Sequence, residues 1–324
     1  MFRIGTSGWH YPTGAGTWNG IFYPKPRPKG FDELSFYAEH FNTVEVNTTF
    51  YGQPRADVCR DWARRTPPEF EFALKLYQKF THPKMYQERL AKTVPADARH
   101  DRAALAELAR PSAADLDEFR RGIEPLASKG KLGVLLAQFP ASFKSDDAAV
   151  AYLRELLRAF EGYPLAVELR HRSWSDRLGD TLSLLNGFGA ALAQIDEPKF
   201  RLSIRQNQLP NVTSFYYMRL HGRNAAQWWR HEKADDRYNY LYSGDELREF
   251  TETAEAASHI VRKVYLYTNN HYSAKSVANA AMIRAQLGEP LDGEYPEEFV
   301  SRYPDLSGIV PRRPTLFTPG RKSV

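Results

Sequence analysis

Glu45 and Glu168 stand in two short runs, Thr43-Val44-Glu45-Val46-Asn47 and Leu165-Ala166-Val167-Glu168-Leu169-Arg170, in which aliphatic residues recur at every second position. Two carboxylates facing one cavity suit general acid–base work when their surroundings separate their pKa values. His221, closing the run Tyr216-Tyr217-Met218-Arg219-Leu220-His221, offers a third proton-transfer group or an electrophile. Lys75 becomes a Schiff-base nucleophile if it is desolvated near other cations, a shift that Glu45 on the neighbouring run opposes. Arg170, Arg219 and Arg223 present planar forks that match phosphate and carboxylate, so an anionic substrate is the natural inference. Asn47, Gln138, Asp196 and Asn269 are polar groups able to orient it, and Trp9 is the aromatic residue placed best for a ligand contact. Each charged residue also has a structural use. Glu45 can pair with Lys75, and Glu168 with Arg170 or Arg219, while the arginines can simply neutralise Glu45, Glu168 and Asp196.

Other chemistries find less support. Glu45, Glu168, Asp196 and His221 form a conceivable carboxylate–imidazole metal set. No His-x-His or His-Glu-x-x-His spacing accompanies them, and Lys75, Arg170 and Arg219 would repel a cation. Neither a Walker-type loop nor a Rossmann glycine fingerprint occurs, so no nucleotide cofactor is expected. The single cysteine, Cys59, excludes an internal disulfide framework. Many aromatic residues lie in the expected loops, among them Tyr11, Trp18, Trp174, Trp228 and Tyr242, and most are expected to build small cores over the strand ends.

These residues need elements to bring them together. Eight strand-like runs are expected: Arg3–Gly8, Thr43–Asn47, Phe70–Leu76, Leu132–Phe139, Leu165–Arg170, Ala190–Asp196, Ser214–His221 and Lys263–Asn270. Amphipathic stretches such as Asp32–His40, Ala56–Arg65, Asp146–Phe160, Asp245–Ala257 and Ala274–Leu287 separate them. Strands alternating with helices imply parallel strands with helical crossovers, and eight of them favour a single (β/α)8 TIM barrel over an open sheet. Two irregularities are expected: a long insertion after strand three, with helices near Asp101–Arg110 and Ser112–Ser128, and an irregular or missing sixth helix at Pro198–Asn211. Parity then sorts the strands. Val44 and Val46, Leu165, Val167 and Leu169, and Tyr216, Met218 and Leu220 should meet the helices. Glu45, Glu168, Arg219 and His221 should point inward near the C-terminal ends, where barrel enzymes carry their active sites.

The motifs Gly5-Thr6-Ser7-Gly8-Trp9, Thr43 to Tyr51, Gln138-Phe139-Pro140, Glu168-Leu169-Arg170-His171, Arg219-Leu220-His221-Gly222-Arg223 and Asn269-Asn270 resemble the YecE-like family, domain of unknown function 72. The resemblance spans about Met1 to Leu287. It implies a TIM-barrel fold and no established activity.

The chain has 324 residues and a net charge of +5. Arg312, Arg313, Arg321 and Lys322, all within Val310–Val324, contribute four of those charges, so the rest of the chain is close to neutral; residues 1–290 are expected to form the barrel domain and 291–324 a partly disordered Pro- and Arg-rich extension. No apolar run approaches the roughly 18 residues that span a membrane, and no signal segment opens the chain, so the cytoplasm is the expected compartment. The resulting expectation is a metal-independent hydrolase, lyase or isomerase working by acid–base chemistry on a small anionic compound, perhaps a phosphorylated or carboxylated sugar. The alternatives are a metal-dependent nuclease or phosphodiesterase whose basic tail touches nucleic acid, and a non-enzymatic small-ligand sensor.

Overall fold

The runs with every second residue aliphatic fold as parallel strands in a computed structural model that describes residues 1–94, 101–206, 209–228 and 234–313. The strands are β1 (Phe2–Thr6), β2 (Thr43–Val46), β3 (Glu71–Lys75), β4 (Leu132–Gln138), β5 (Leu165–Glu168), β6 (Ala191–Leu192), β7 (Gln194–Asp196), β8 (Phe215–Leu220) and β9 (Lys263–Thr268). Most stop a residue or two before their expected C-terminal ends. Ser7, Asn47, Arg170, His221 and Asn269 therefore sit just past the ladders, where side chains are free of strand alternation. The connecting helices include Glu33–His40, Ala56–Arg64, Asp147–Ala159, Gly244–Ser258 and Lys275–Gln286, and the insertion after β3 holds Pro83–Thr93, Arg102–Leu108 and Ala113–Ala127. Short polar side chains cap five of these: Asp32, Asp101, Ser112, Asp146 and Ser243 each accept a hydrogen bond from a first-turn amide. Among the described residues between β7 and β8 there is no helix.

The strands are arranged as two parallel sheets, β1-β9-β8-β7 and β2-β3-β4-β5-β6, rather than one continuous ladder. The run expected as strand six is the reason at one seam. Ala193 N–H still bonds Val167 on β5 at 2.9 Å, but Gln194 is already paired with Met218 on β8. The amides left over at this switch find side chains: Leu192 N–H donates to Asn211 and Ile195 N–H to Gln206, at 2.8 and 2.9 Å. At the other seam β1 lies against β2 through a single parallel bridge between Ser7 and Glu45. Side chains stand in for the ladder there. Ile4 N–H donates to Asn42 at 3.1 Å, and the Asn42 amide donates to Phe2 C=O at 3.1 Å. Thr6 N–H donates to the Tyr37 hydroxyl, which donates to Thr43 C=O.

The helix-facing sides of the strands, including Val44, Val46, Leu74, Val167, Met218 and Leu266, pack with the helices into one large core. A second, smaller cluster occupies the opposite face. It combines the small residues Ala73, Ala166, Ala191 and Ala193 of β3, β5 and the sixth run with the rings of Phe215, Tyr217, Tyr265 and Tyr267 from β8 and β9. Rings on one sheet thus fill the space that alanines on the other leave. Gly133 serves the same packing: it lies where the β3–β4 register shifts, and a Cβ there would stand 3.2 Å from the Tyr265 ring.

The described part of the C-terminal extension belongs to the larger core. Helix Glu297–Arg302 buries Phe299 and Val300, and Tyr295, Tyr303, Leu306 and Val310 join the same cluster as Phe22 and Phe36. Tyr295 bridges Arg312 as a parallel β-pair. Residues 314–324, which hold Arg321 and Lys322, lie outside the described residues. Among the described residues no helix is long and apolar enough to cross a membrane.

Candidate active site

Arg219, on the inner face of β8, is the hub of a buried ionic network at the C-terminal ends of the strands. Its Nε and Nη2 bond the two oxygens of Glu45 at 2.8 and 2.6 Å, a forked pair reaching from β8 to β2. Nη1 bonds Glu168 at the end of β5 and Gln138 Oε1 at 3.0 Å at the end of β4. Arg219 is 1% exposed, and both carboxylates are sealed completely. Arg170 holds Glu168 from the other side, with Nε at 2.7 Å. Ser7 and Tyr217 complete the shell of Glu45, and Asn47 donates to the Ser7 hydroxyl at 2.9 Å. Asn269 bonds His221 Nδ1 at 2.8 Å, and His221 Nε2 lies 3.6 Å from Glu168 and 3.4 Å from a guanidinium nitrogen of each of Arg170 and Arg219.

Buried charge is tolerated when paired and hydrogen-bonded, and this network meets both conditions. Burial alone would raise the pKa of Glu45 and Glu168. The Arg219 guanidinium reverses that, holding Glu45 below the usual carboxylate range and Glu168, which also feels Arg170, well below it. Both are therefore ionised at neutral pH. Burial and Arg219 push His221 down to about 4, so it is a neutral imidazole.

Lys75 and Glu197 behave differently. Lys75 ends β3 on the same inner face, partly exposed, with Nζ 4.0 Å above the centre of the Phe50 ring. Among the described residues its amine has no hydrogen-bond acceptor and no ion pair, because Glu45 and Glu168 are engaged by arginine. Burial first and the Arg219 charge second bring it down to about 7. Among the described residues Glu197, just past β7, pairs with Arg170 Nη1 at 3.4 Å, and its Oε2 is buried without a hydrogen-bond partner. Burial, helped by Glu168 and Asp196, raises its pKa against the pull of Arg170. Arg170 and Glu197 line a cleft of about 250 Å³ together with Lys144, His171, Phe200 and Trp228. A second cleft, about 370 Å³, opens beside His82, Met85, Pro140 and Phe143. His82 lies edge-on to Phe50 at 5.0 Å, and burial together with Lys75 lowers it to about 3.

Most of the residues expected from the sequence thus converge, but not all in the expected way. Glu45, Gln138, Glu168, Arg170, Arg219, His221 and Asn269 form the network, with Asn47 at its edge and Lys75 on the same inner face. The structural partner expected for Glu45 was Lys75; the partner is Arg219, because a guanidinium with five donors serves Glu45, Glu168 and Gln138 at once. Asp196 is at the same end but held separately, by Arg223 at 2.8 and 2.9 Å and the Tyr242 hydroxyl at 2.7 Å. Arg223 is thereby engaged by Asp196 and by Glu249. Trp9 packs edge-on against Trp62, 5.5 Å away in the helix-side core, and no contact joins it to the network. Trp18, Trp174 and Tyr242, expected to build small cores of their own, are buried as part of the one large core instead. Ser7, Tyr217, His82 and Glu197 were not singled out by sequence. Tyr217 shares the inward parity of Arg219, but the chain leaves the ladder at Glu197, so alternation no longer reports its direction. Among the described residues no three His, Cys, Asp or Glu side chains group as a metal site would require.

Comparison with known proteins places the chain in a family. The UPF0759 protein YunF of Bacillus subtilis is 27% identical over 98% of this chain and its own full length. A DUF72 family protein of Thermotoga maritima matches at TM-score 0.71 and 31% identity, over 89% of this chain and 100% of its own. A DUF72 family protein of Enterococcus faecalis matches at TM-score 0.72 and 23% identity, over 91% of this chain and 99% of its own, and shares the fold. The model of the family described as "Protein of unknown function DUF72" matches residues 3–298, and the chain belongs to that family.

Proposed function

We propose that the two sheets are halves of one (β/α)8 barrel and that the chain is an acid–base enzyme, a hydrolase, lyase or isomerase, acting on a small anionic compound at the C-terminal ends of its strands. One observation carries the reading: ionisation is divided within a single site. The sealed carboxylates Glu45 and Glu168 are held charged, whereas the pKa of Glu197 is raised and that of Lys75 lowered, each in the direction of its neutral form. Environments that push titratable groups apart in this way are how one site supplies both a proton donor and a proton acceptor. Glu197 is the candidate donor and Lys75 the candidate acceptor. Neutral His221 is a hydrogen-bond donor, and Glu45, Glu168 and Gln138 fix the guanidiniums around it.

The anionic preference rests on the cleft beside Arg170, where Lys144 and His171 add positive or hydrogen-bonding groups and Phe200 and Trp228 add apolar walls. Its volume, about 250 Å³, suits a compound of metabolite size. The forked pairing of Arg219 with Glu45 leaves those carboxylates little capacity to hold a metal ion, which supports a metal-independent reaction. The test is a panel of phosphorylated and carboxylated metabolites, read by turnover and by ligand-induced rise in Tm. Glu197→Gln and Lys75→Met should each lower kcat by a factor of about 10²–10⁴ with Tm unchanged or raised. Binding without turnover across the panel would favour a sensor, and full turnover in both variants would defeat the reading.

A further inference from the structure

We infer that Lys75 is a covalent nucleophile, forming an imine with the carbonyl group of a small oxo acid or sugar phosphate; this rests on the acid–base reading of the same site and specifies its chemistry. Within a cluster that commits Glu45, Glu168, Arg170 and Arg219 to one another, the Lys75 amine has no acceptor among the described residues and faces the Phe50 ring. A primary amine kept there for structure alone would be expected to take one of the two nearby carboxylates as its partner. Both are turned to guanidiniums instead, and a lysine that is desolvated beside cations is the arrangement that makes an amine nucleophilic at neutral pH. The depression of its pKa to about 7 follows from the same geometry. Its side chain is partly exposed, and the Phe50 face covers one side of the amine.

The step balances without a cofactor. The Nζ lone pair attacks the carbonyl carbon, forming an N–C bond as the C=O electrons move to oxygen. That oxygen leaves as water, carrying the two protons of the amine, and the nitrogen retains a double bond to carbon. Protonation of the imine nitrogen from solvent then makes an electron sink, and a proton can be removed from or returned to the adjacent carbon. Such a sink serves the lyase and isomerase branches of the proposed function. It adds nothing to simple hydrolysis, so it narrows the substrate class to carbonyl compounds.

The experiment uses the full chain with pyruvate and, separately, dihydroxyacetone phosphate, each trapped by sodium cyanoborohydride and mapped by peptide mass spectrometry. A single saturable adduct on Lys75 is expected, absent in Lys75→Arg, with a labelling rate that reaches half its maximum near pH 7. No adduct on Lys75, or equal adducts spread over surface lysines, overturns the inference. Trinitrobenzenesulfonate labels any neutral amine and separates the two ideas. Lys75 labelled by it near neutral pH yet silent toward both carbonyl compounds overturns the imine step and leaves the acid–base reading standing. Labelling of Lys75 only near the ordinary lysine range, about pH 10, overturns both uses of this amine.

Discussion

Arg219 makes four hydrogen bonds to three side chains on three other strands, and its removal or that of a partner has calculable consequences. Glu168→Gln leaves both Arg170 and Arg219 short of a charge partner in a sealed site. Breaking a buried pair in this way costs about 3–5 kcal/mol, so urea unfolding should show a midpoint lowered by that loss divided by the slope, with the slope unchanged. A variant as stable as wild type would mean that the arginines re-pair or that water reaches them. Lys75→Met should behave in the opposite sense. The folded amine titrates at about 7 against 10.5 for a free lysine, so the unfolded chain binds the extra proton between those values and stability rises with pH across that window. The lysine costs stability at pH 7 and below and costs progressively less toward pH 10.5. The advantage of Lys75→Met over wild type should therefore be largest at neutral or acid pH and shrink on the way to pH 10. An advantage independent of pH would show that the native amine is not depressed. Glu45 and Glu168 follow the carboxylate rule instead: their stabilisation is present above about pH 4.5 and is lost as pH falls through their lower folded values.

At the scale of elements, the two seams decide whether the network can exist. Arg219 reaches Glu45 only because β1 and β2 lie close enough for Gly5 to pass Thr43. A Cβ at Gly5 would stand 2.1 Å from the Thr43 carbonyl oxygen, a clash with backbone rather than with a movable side chain. Gly5→Ala should therefore push β1 away from β2 and lower stability by about 3 kcal/mol, the upper end of what overpacking costs. Thermal unfolding measures that loss, and Lys75 reactivity should change with it if the seam also shapes the site. A neutral Gly5→Ala would mean that the seam is looser than its hydrogen bonds suggest. The glycine itself was visible in the motif Gly5-Thr6-Ser7-Gly8-Trp9, but its neighbour across the seam was not, because strand proximity between residues 5 and 43 is a tertiary fact. The sixth run shows the complementary case. Alternation marks Ala190–Asp196 as strand, yet nothing in its residues says that pairing will pass from β5 to β8 at Ala193.

For the molecule as a whole, residues 291–313 are part of the main core, not an appendage to it. Phe299, Tyr303, Leu306 and Val310 are all buried there, and the hydroxyl of Tyr303 donates to Ser273 C=O in the loop after β9. Truncation after Leu287 should therefore destabilise or unfold the chain, since losing even one large buried ring costs about 3–5 kcal/mol. Truncation after Arg313 removes none of these contacts and should leave Tm within a degree or two of the full chain, measured by differential scanning fluorimetry. A large fall for the shorter deletion would show that 314–324 packs on the core. The shorter deletion removes Arg321 and Lys322, two of the five net positive charges, so it should also weaken any salt-sensitive binding of nucleic acid without changing small-molecule turnover.

Local alternation was enough to determine which side of the regular strands meets the helices, and so to direct Glu45, Glu168 and Arg219 to one common face. Period-2 patterning is a property of neighbours in the chain, and burial of one face enforces it wherever the strand is regular. Capping residues such as Asp146 and Ser243 marked helix starts for the same local reason. Pairing is a different matter. That Arg219, not Lys75, holds Glu45, that Asp196 belongs to Arg223, and that Trp9 turns toward Trp62 all depend on distances between segments far apart in sequence. Where the chain leaves the ladder, as at Glu197, alternation ends and only packing decides which way a side chain points. The tertiary structure alone therefore distinguished Glu45 and Glu168, which arginine hydrogen-bonds, from Glu197 and Lys75, which it does not.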